Sequence, residues 1–306
     1  MKGEYFYTEK DGFYGAYYPN TTASEKGIIL MLGDKVDDLM VKAGVKWLHK
    51  NGCNVLAVTS DTKDYAFHDY PIESFERAID VLKSKGNTKF GIMGASTTAM
   101  IALAAASYIP DITLTVALSP SDFIMEGFYR DGLDGARERP GDNESTLSYK
   151  GERLPYLPYA YRHPEYWQKL KEEAKRRGDM AAARDMFDLS EKLTPVTEDM
   201  KIKVERIKGK VVFIGAQDDS LWDTCRYIDR MCDRLKAMPH ECRYAKLTYE
   251  YGSHFVFPQS MLDGMLPFGS TQLLKFTFHT LKEHPAECRK TRISIDRRLT
   301  KVIAEW

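Results

Sequence analysis

Apolar and polar positions along the chain alternate between two spacings. "GIILML" (Gly27 to Leu32), "CNVLAVTS" (Cys53 to Ser60), "TKFGIM" (Thr88 to Met93) and "ITLTVALS" (Ile112 to Ser119) are near-continuous apolar runs of strand length. Strands buried on both faces read this way. Between them the apolar positions recur at helical spacing. "MVKAGVKWLHKNG" ends on Gly52 in a C-cap position. "PIESFERAIDVLKSKG" opens on Pro71 and carries Phe75, Ile79 and Leu82 on one face. "TTAMIALAAASYI" follows as an Ala-rich helix. At the N-terminus "YFYTE" and "FYGAYY" flank the turn signal Lys10-Asp11-Gly12, which predicts an opening hairpin. The alternation predicts a mainly parallel sheet with helices on both faces.

The alternation breaks between Asp122 and Arg206, where no buried strand is evident. A polar stretch, "DGLDGARERPGDNES", gives way to the Pro- and Tyr-rich "GERLPYLPYAYRHPEYW" and then to a charged helix from Gln168 to Lys192. The pattern resumes with "KVVFIGAQDDSLW", a helix to Met238, the strand "CRYAKLTYE" and a final helix from about Thr271 to Glu283. Residues 1–121 and 207–306 thus form a core, and 122–206 a helical cap inserted between two sheet strands. In open α/β sheets ligands bind at the strand C-termini, so the cap is expected over that end.

Composition narrows the options. The chain has 306 residues, 43% of them hydrophobic, enough for a sizeable core. Lys+Arg and Asp+Glu are both 44. A neutral chain has no overall field for nucleic acid or an anionic membrane, so neither is an expected partner. The N-terminus lacks an apolar leader, and no apolar run reaches bilayer length. Five scattered cysteines suit reduced thiols in the cytoplasm, where the protein is expected. Cys225 and Cys232 lack metal-ligand spacing, and no Gly-rich phosphate loop occurs. No cofactor or metal is expected. The tail "RISIDRRLTKVIAEW" leaves a homo-oligomer open.

One short stretch carries chemistry. In "KFGIMGASTTAM" a strand runs into a helix through Gly94, Ala95 and Ser96. A sharp strand-to-helix turn of this kind presents a nucleophilic serine, provided the residues two before and two after it are small. Gly94 meets that condition; Thr98 meets it poorly. The alternative is that Ser96 and Thr97 simply cap the helix. A serine nucleophile needs a base and an orienting acid, in the chain order Ser, acid, His for this arrangement. Asp218, three residues after Gly215 and just past a strand, is the expected acid. Asp219 reads instead as a helix N-cap, and Asp122 is the reserve acid. Of seven histidines, His254 alone follows a strand at the correct sheet end and stands last in order. His68 precedes Ser96, and His49, His163, His240, His279 and His284 fall in helices, the insertion or the opposite end. Oxyanion donors are expected from the Thr97 N–H and from "LGDKVDD", at Gly33 or Asp34. An Asp34 carboxylate must then point away, or Asp34 is itself a helix cap. Gly33, Tyr156 and Tyr159 are expected at the substrate pocket, although the tyrosines equally suit packing of the cap onto the sheet. Arg130, Arg137, Arg139, Lys150 and Arg153 are interspersed with acids and read as a solvated loop.

Several stretches together resemble one family. "KFGIMGASTTAMIALAAASYIPDITLTVALSPS", "LSYKGERLPYLP", "KVERIKGKVVFIGAQDDSLWDT" and "GSHFVFP" are similar to the C-terminal catalytic domain of acyl-CoA thioesterases and bile acid-CoA:amino acid N-acyltransferases. The resemblance covers roughly residues 26 to 284. It implies an α/β-hydrolase fold and a triad on Ser96, Asp218 and His254. It also implies a small-molecule acyl ester or thioester substrate. The family commonly has glycine where Thr98 stands, and its acyltransferase branch uses cysteine where Ser96 stands. A serine acyl-enzyme is an oxyester that water can cleave, so hydrolysis is expected over transfer to an amine. A ligand-binding homologue without catalysis is the remaining alternative.

Overall fold

The computed structural model describes residues 2–60, 66–265 and 274–306. Eight strands form one twisted sheet: β1 (Glu4–Phe6), β2 (Tyr14–Tyr18), β3 (Lys26–Met31), β4 (Asn54–Thr59), β6 (Lys89–Ala95), β7 (Ile112–Leu118), β12 (Lys210–Ala216) and β13 (Arg243–Tyr249). Their spatial order is β1-β2-β4-β3-β6-β7-β12-β13. β1 and β2 pair antiparallel at one edge, with the helical turn α1 (Thr8–Asp11) between them, so the expected hairpin is present. From β4 to β13 every pairing is parallel.

Alternate residues of each buried strand enter opposite cores, which is why the apolar runs are unbroken. Ile28 and Leu30 of β3 face a core with α2 (Leu39–Lys50) and the C-terminal helix Pro285–Glu305. Ile29 and Met31 face a second core with α3 (Glu73–Ser84), α4 (Thr97–Tyr108) and α7 (Thr224–Ala237). Helix α4 is buried from Ala99 to Ala106, hence its alanines. The tail is therefore the last layer of the core, not an appendage. Its Asp296 accepts from Trp47 Nε1 at 2.8 Å, and Trp306 Nε1 donates to Thr113 Oγ1 at 2.9 Å. Of the expected final helix, residues 271–273 lie outside the described residues. The described part holds only the short helix His279–Glu283.

The segment between β7 and β12 leaves and returns side by side: Ile202 N donates to Asp122 O at 2.9 Å, and Ile124 N to Met200 O at 3.0 Å. It carries α5 (Glu165–Arg177) and α6 (Arg184–Leu193). It also carries strands that its polar composition hides. β8 (Glu126–Tyr129) pairs antiparallel with β9 (Arg139–Ser145). β10 (Leu147–Tyr149) pairs with β11 (Glu152–Arg153) and, in parallel, with β5 (Tyr70–Pro71). The last pairing stitches the segment to the chain before β6. Three arginines of α7, spaced four apart, clamp its base: Arg226 on Asp188 and Glu191, Arg230 on Asp122 and Glu191, Arg234 on Glu205. Asp122, the reserve acid, is thus committed to Arg230 at 2.6 Å.

Candidate active site

The sheet changes direction of winding between β3 and β6, and the crevice outside those strand ends is where an open α/β sheet binds ligands. Ser96 stands there, at the end of β6. Its backbone is left-handed, at φ 62° and ψ −132°. A non-glycine residue held in this region is strained and must be over-determined by its surroundings. Here Ser96 N donates to Leu118 O at 2.8 Å, and Ser96 O accepts from Ala99 N at 2.9 Å. The hydroxyl makes no capping bond to α4, so the simple cap reading does not describe it.

The two flanking small positions are not equivalent. A Cβ on Gly94 would lie 2.1 Å from Thr98 O, so glycine is required there. Thr98 crowds nothing. Its hydroxyl accepts from Ala95 N at 3.0 Å and donates toward Met31 O at 2.7 Å and Ala95 O at 2.8 Å. Threonine here cross-links the turn to the end of β3, which corrects the expectation of an ill-fitting residue.

The acid on the histidine is also a correction. Asp219, not Asp218, faces His254: Nδ1 lies 3.0 Å from Oδ1 and 2.9 Å from Oδ2. The Asp219 carboxylate is fully buried and also accepts from Leu221 N at 2.9 Å and Thr224 Oγ1 at 2.5 Å. A buried carboxylate with three donors is fixed in place, and a ring held at Nδ1 presents Nε2. Asp218 turns the other way and accepts from Gly252 N at 3.0 Å and Ser253 N at 2.8 Å. Burial pushes its pKa up against the opposing pull of hydrogen bonds from Thr280, Ser253 and Gly252. The N-cap expected of Asp219 belongs to Asp223, whose side chain accepts from Arg226 N. The dipeptide Asp223-Thr224 directly before the helical run was the available signal.

His254 Nε2 is buried and has no hydrogen-bond partner among the described residues. Trp222 stands edge-on to the ring at 4.9 Å. Ser96, Thr97 and His254 line a cleft of about 290 Å³ beneath α5 and α6. Its walls are largely apolar and include Met125, Phe128, Tyr159, Trp167 and Phe187. Tyr159 is thus where it was expected. Tyr156 is not; it packs half-buried against the core, outside that lining. Arg130 and Arg137 belong to the same lining rather than to a purely solvated loop. A neighbouring cleft on the other side of Ser96 includes Gly33, Asp34, Arg130 and Arg137.

Of the expected oxyanion donors, Thr97 N–H is in the first turn of α4, where backbone donors have no intrahelical acceptor. Asp34 N–H is spoken for: it donates to Asp38 Oδ2 at 2.8 Å. The Asp34 carboxylate pairs with Arg130, and the N-cap of α2 is Asp38. Gly33, at φ 73°, remains the candidate of this loop; a Cβ there would meet Asp38 Oδ2 at 2.0 Å. Among the described residues no cluster of three or more His, Cys, Asp or Glu could hold a metal ion. No described helix is long and apolar enough to cross a membrane.

Residues 70–261 match the family described as BAAT / acyl-CoA thioester hydrolase C terminal. The chain belongs to this family. Among curated proteins, mitochondrial acyl-coenzyme A thioesterase 2 of Mus musculus is 26% identical over 63% of this chain and 38% of its own length. The peroxisomal succinyl-coenzyme A thioesterase of Mus musculus is 24% identical over 63% of this chain and 41% of its own length. The chain thus spans about two-fifths of the length of the curated relatives it matches. Two solved structures share its fold. One is Pyrococcus horikoshii acylaminoacyl peptidase, at TM-score 0.54 and 10% identity over 98% of this chain and 41% of that chain. The other is MGS-M1, an α/β hydrolase from a Medee basin deep-sea metagenome library. It aligns at TM-score 0.51 and 10% identity over 100% and 99% of the two chains. The fold is that of the α/β hydrolases. In this chain the Ser96 turn, Asp219 and His254 follow β6, β12 and β13 at one end of the sheet.

Proposed function

We propose that the chain is a serine hydrolase of carboxylic esters or thioesters that works through an acyl-enzyme on Ser96. The observation that carries this is the Asp219–His254 pair, 2.9 Å apart, in the same cleft as a strained, uncapped Ser96. Asp219 orients the ring and supports the imidazolium; His254 is the base; Ser96 is the nucleophile. Ser96 Oγ adds to the substrate carbonyl as its proton passes to His254 Nε2. The carbonyl oxygen becomes an oxyanion held by Thr97 N–H and a second donor at Gly33. Collapse breaks the bond to the leaving oxygen or sulfur, which takes the proton from His254. Water then repeats the sequence on the acyl-serine and releases the acid. Removing one oxyanion donor costs on the order of 10²–10³ in kcat, so the backbone at Thr97 contributes to the rate alongside the side chains. The apolar walls suit an acyl or aromatic group, and the likeness to acyl-coenzyme A thioesterases makes a coenzyme A thioester a candidate substrate.

A fluorophosphonate probe tests the reading. Labelling of wild type and loss of labelling in Ser96→Ala is expected, together with turnover of p-nitrophenyl esters. Folded wild type that neither labels nor turns over an ester or acyl-CoA series contradicts it. Adding amine acceptors to the turnover assay distinguishes hydrolysis from transfer through the product ratio.

A further inference from the structure

The adjacent acids Asp218 and Asp219 face opposite ways, and only one of them touches the histidine ring. We propose that Asp218 is a positioning residue. It holds the turn that carries His254. This rests on the reading of His254 as the base.

The turn from Tyr251 to His254 needs holding. Ser253 sits at φ 53°, in the left-handed region that non-glycine residues avoid. Gly252 is packed so closely that a Cβ would lie 3.1 Å from both Ala216 Cβ and Val256 Cγ1. Two carbonyls of the turn are anchored from outside: Thr291 Oγ1 donates to Tyr251 O at 2.6 Å, and Ser119 Oγ to His254 O at 3.3 Å. The N–H groups of Gly252 and Ser253 both donate to the carboxylate of Asp218. A carboxylate that takes two successive backbone N–H groups sets the peptide planes between them, and so the direction in which the next side chain, His254, leaves the chain.

A third element stands beside the same carboxylate: against the upward push of burial, Thr280, on the helix His279–Glu283, pulls its pKa down. That helix is pinned to the loop between α5 and α6: His279 N donates to Asp179 Oδ1 at 2.6 Å, and Met180 N to Thr277 O at 2.7 Å. Met180 and Phe278 line the cleft that holds Ser96 and His254. Asp218 thus stands between the turn of the base and the element that forms part of the cleft wall. Asp218 makes no ion pair among the described residues. A half-buried carboxylate without a counter-cation is costly to keep, and here two backbone N–H donors account for it.

The test uses the full chain with a p-nitrophenyl ester and compares Asp218→Ala, Asp218→Asn and Asp219→Asn. Loss of the orienting acid in Asp219→Asn is expected to cost on the order of 10³–10⁴ in kcat. Asp218→Ala is expected to lower kcat about 10- to 100-fold at nearly unchanged KM, the size of a small misplacement of a reacting group. It is also expected to move the acidic limb of the pH profile of kcat/KM. Asp218→Asn keeps an acceptor for Ser253 N–H and is expected to recover most of the rate. A folded Asp218→Ala with wild-type kcat and an unmoved acidic limb overturns the proposal. If that variant does not fold, an unmoved acidic limb in Asp218→Asn overturns it instead. If Asp218→Asn loses all activity while Asp219→Asn retains it, Asp218 is the orienting acid and the proposal fails. The NMR signal of the His254 ring reads positioning without turnover: its chemical shift is expected to differ between wild type and Asp218→Asn. An unchanged His254 ring signal overturns the proposal even if the chain hydrolyses no ester, so its failure is distinct from failure of the proposed function.

Discussion

Thr98 offers the sharpest quantitative test, because its side chain stands where a glycine was expected. Thr98→Val keeps the shape and removes the hydroxyl. Ala95 N–H, 3.0 Å from that hydroxyl, is left facing a methyl group. Leaving a buried donor unpaired costs about 1–3 kcal/mol. Ala95 is half-buried and water can partly replace the lost bond, so about 1–2 kcal/mol is expected. For 306 residues the unfolding entropy near Tm is about 0.6 kcal/mol per kelvin, which translates the loss into about 2–3 °C. The rate should suffer as well. Ala95 precedes Ser96, and the Met31 carbonyl that receives the same hydroxyl at 2.7 Å ends the strand leading to Gly33. The hydroxyl thus spans the two sides of the oxyanion region, and kcat/KM is expected to fall about tenfold. Thr98→Ser keeps the hydroxyl and should stay near wild type. Thr98→Gly, although closer to the family pattern, should lose the hydroxyl and a further ~0.3 kcal/mol of helix propensity. Thermal unfolding and ester turnover of the three variants check this. A Thr98→Gly protein as stable as wild type, or faster, refutes the reasoning.

Other outcomes follow from the same geometry. Gly94→Ala places a Cβ 2.1 Å from the Thr98 carbonyl oxygen and should cost about 3 kcal/mol or prevent folding, read by urea unfolding. Arg230→Met strips Asp122 and Glu191 of their shared partner. It should cost about 2–4 kcal/mol, less than for a fully buried pair because Arg230 keeps a third of its side chain in solvent. Asp218 is an acid whose folded-state pKa lies above its unfolded value, so acidification through the folded pKa adds stability from this group. Urea unfolding should therefore show wild type gaining on Asp218→Asn as the pH is lowered toward the usual carboxylate range; a constant difference argues against the shift.

Much of this protein is legible in the chain because burial on both faces leaves a local record. A strand covered twice must be apolar throughout, so β3, β4, β6 and β7 stand out as runs, and the order of connections follows. The elbow is legible for a similar reason: Gly94 and Ser96 answer a steric demand confined to a few residues. The strands of the insertion left no such record. β9 (Arg139–Ser145) carries polar residues such as Asp142 and Asn143 with their side chains exposed or half-exposed, and its pairing with β8 is made by backbone groups that every sequence has.

What the chain by itself determined is the sheet, the placing of Ser96 and His254 past strand ends, and the family they belong to. Only the tertiary structure decided which of two adjacent aspartates meets the histidine, because successive residues in a turn point in directions set by the peptide planes between them. It also decided that Thr98 braces the elbow, since its partner Met31 is 67 positions away along the chain. And it turned the tail into a core layer: the residues that bury Ile295 and Leu299 come from distant strands and helix α2, brought together only when the sheet forms.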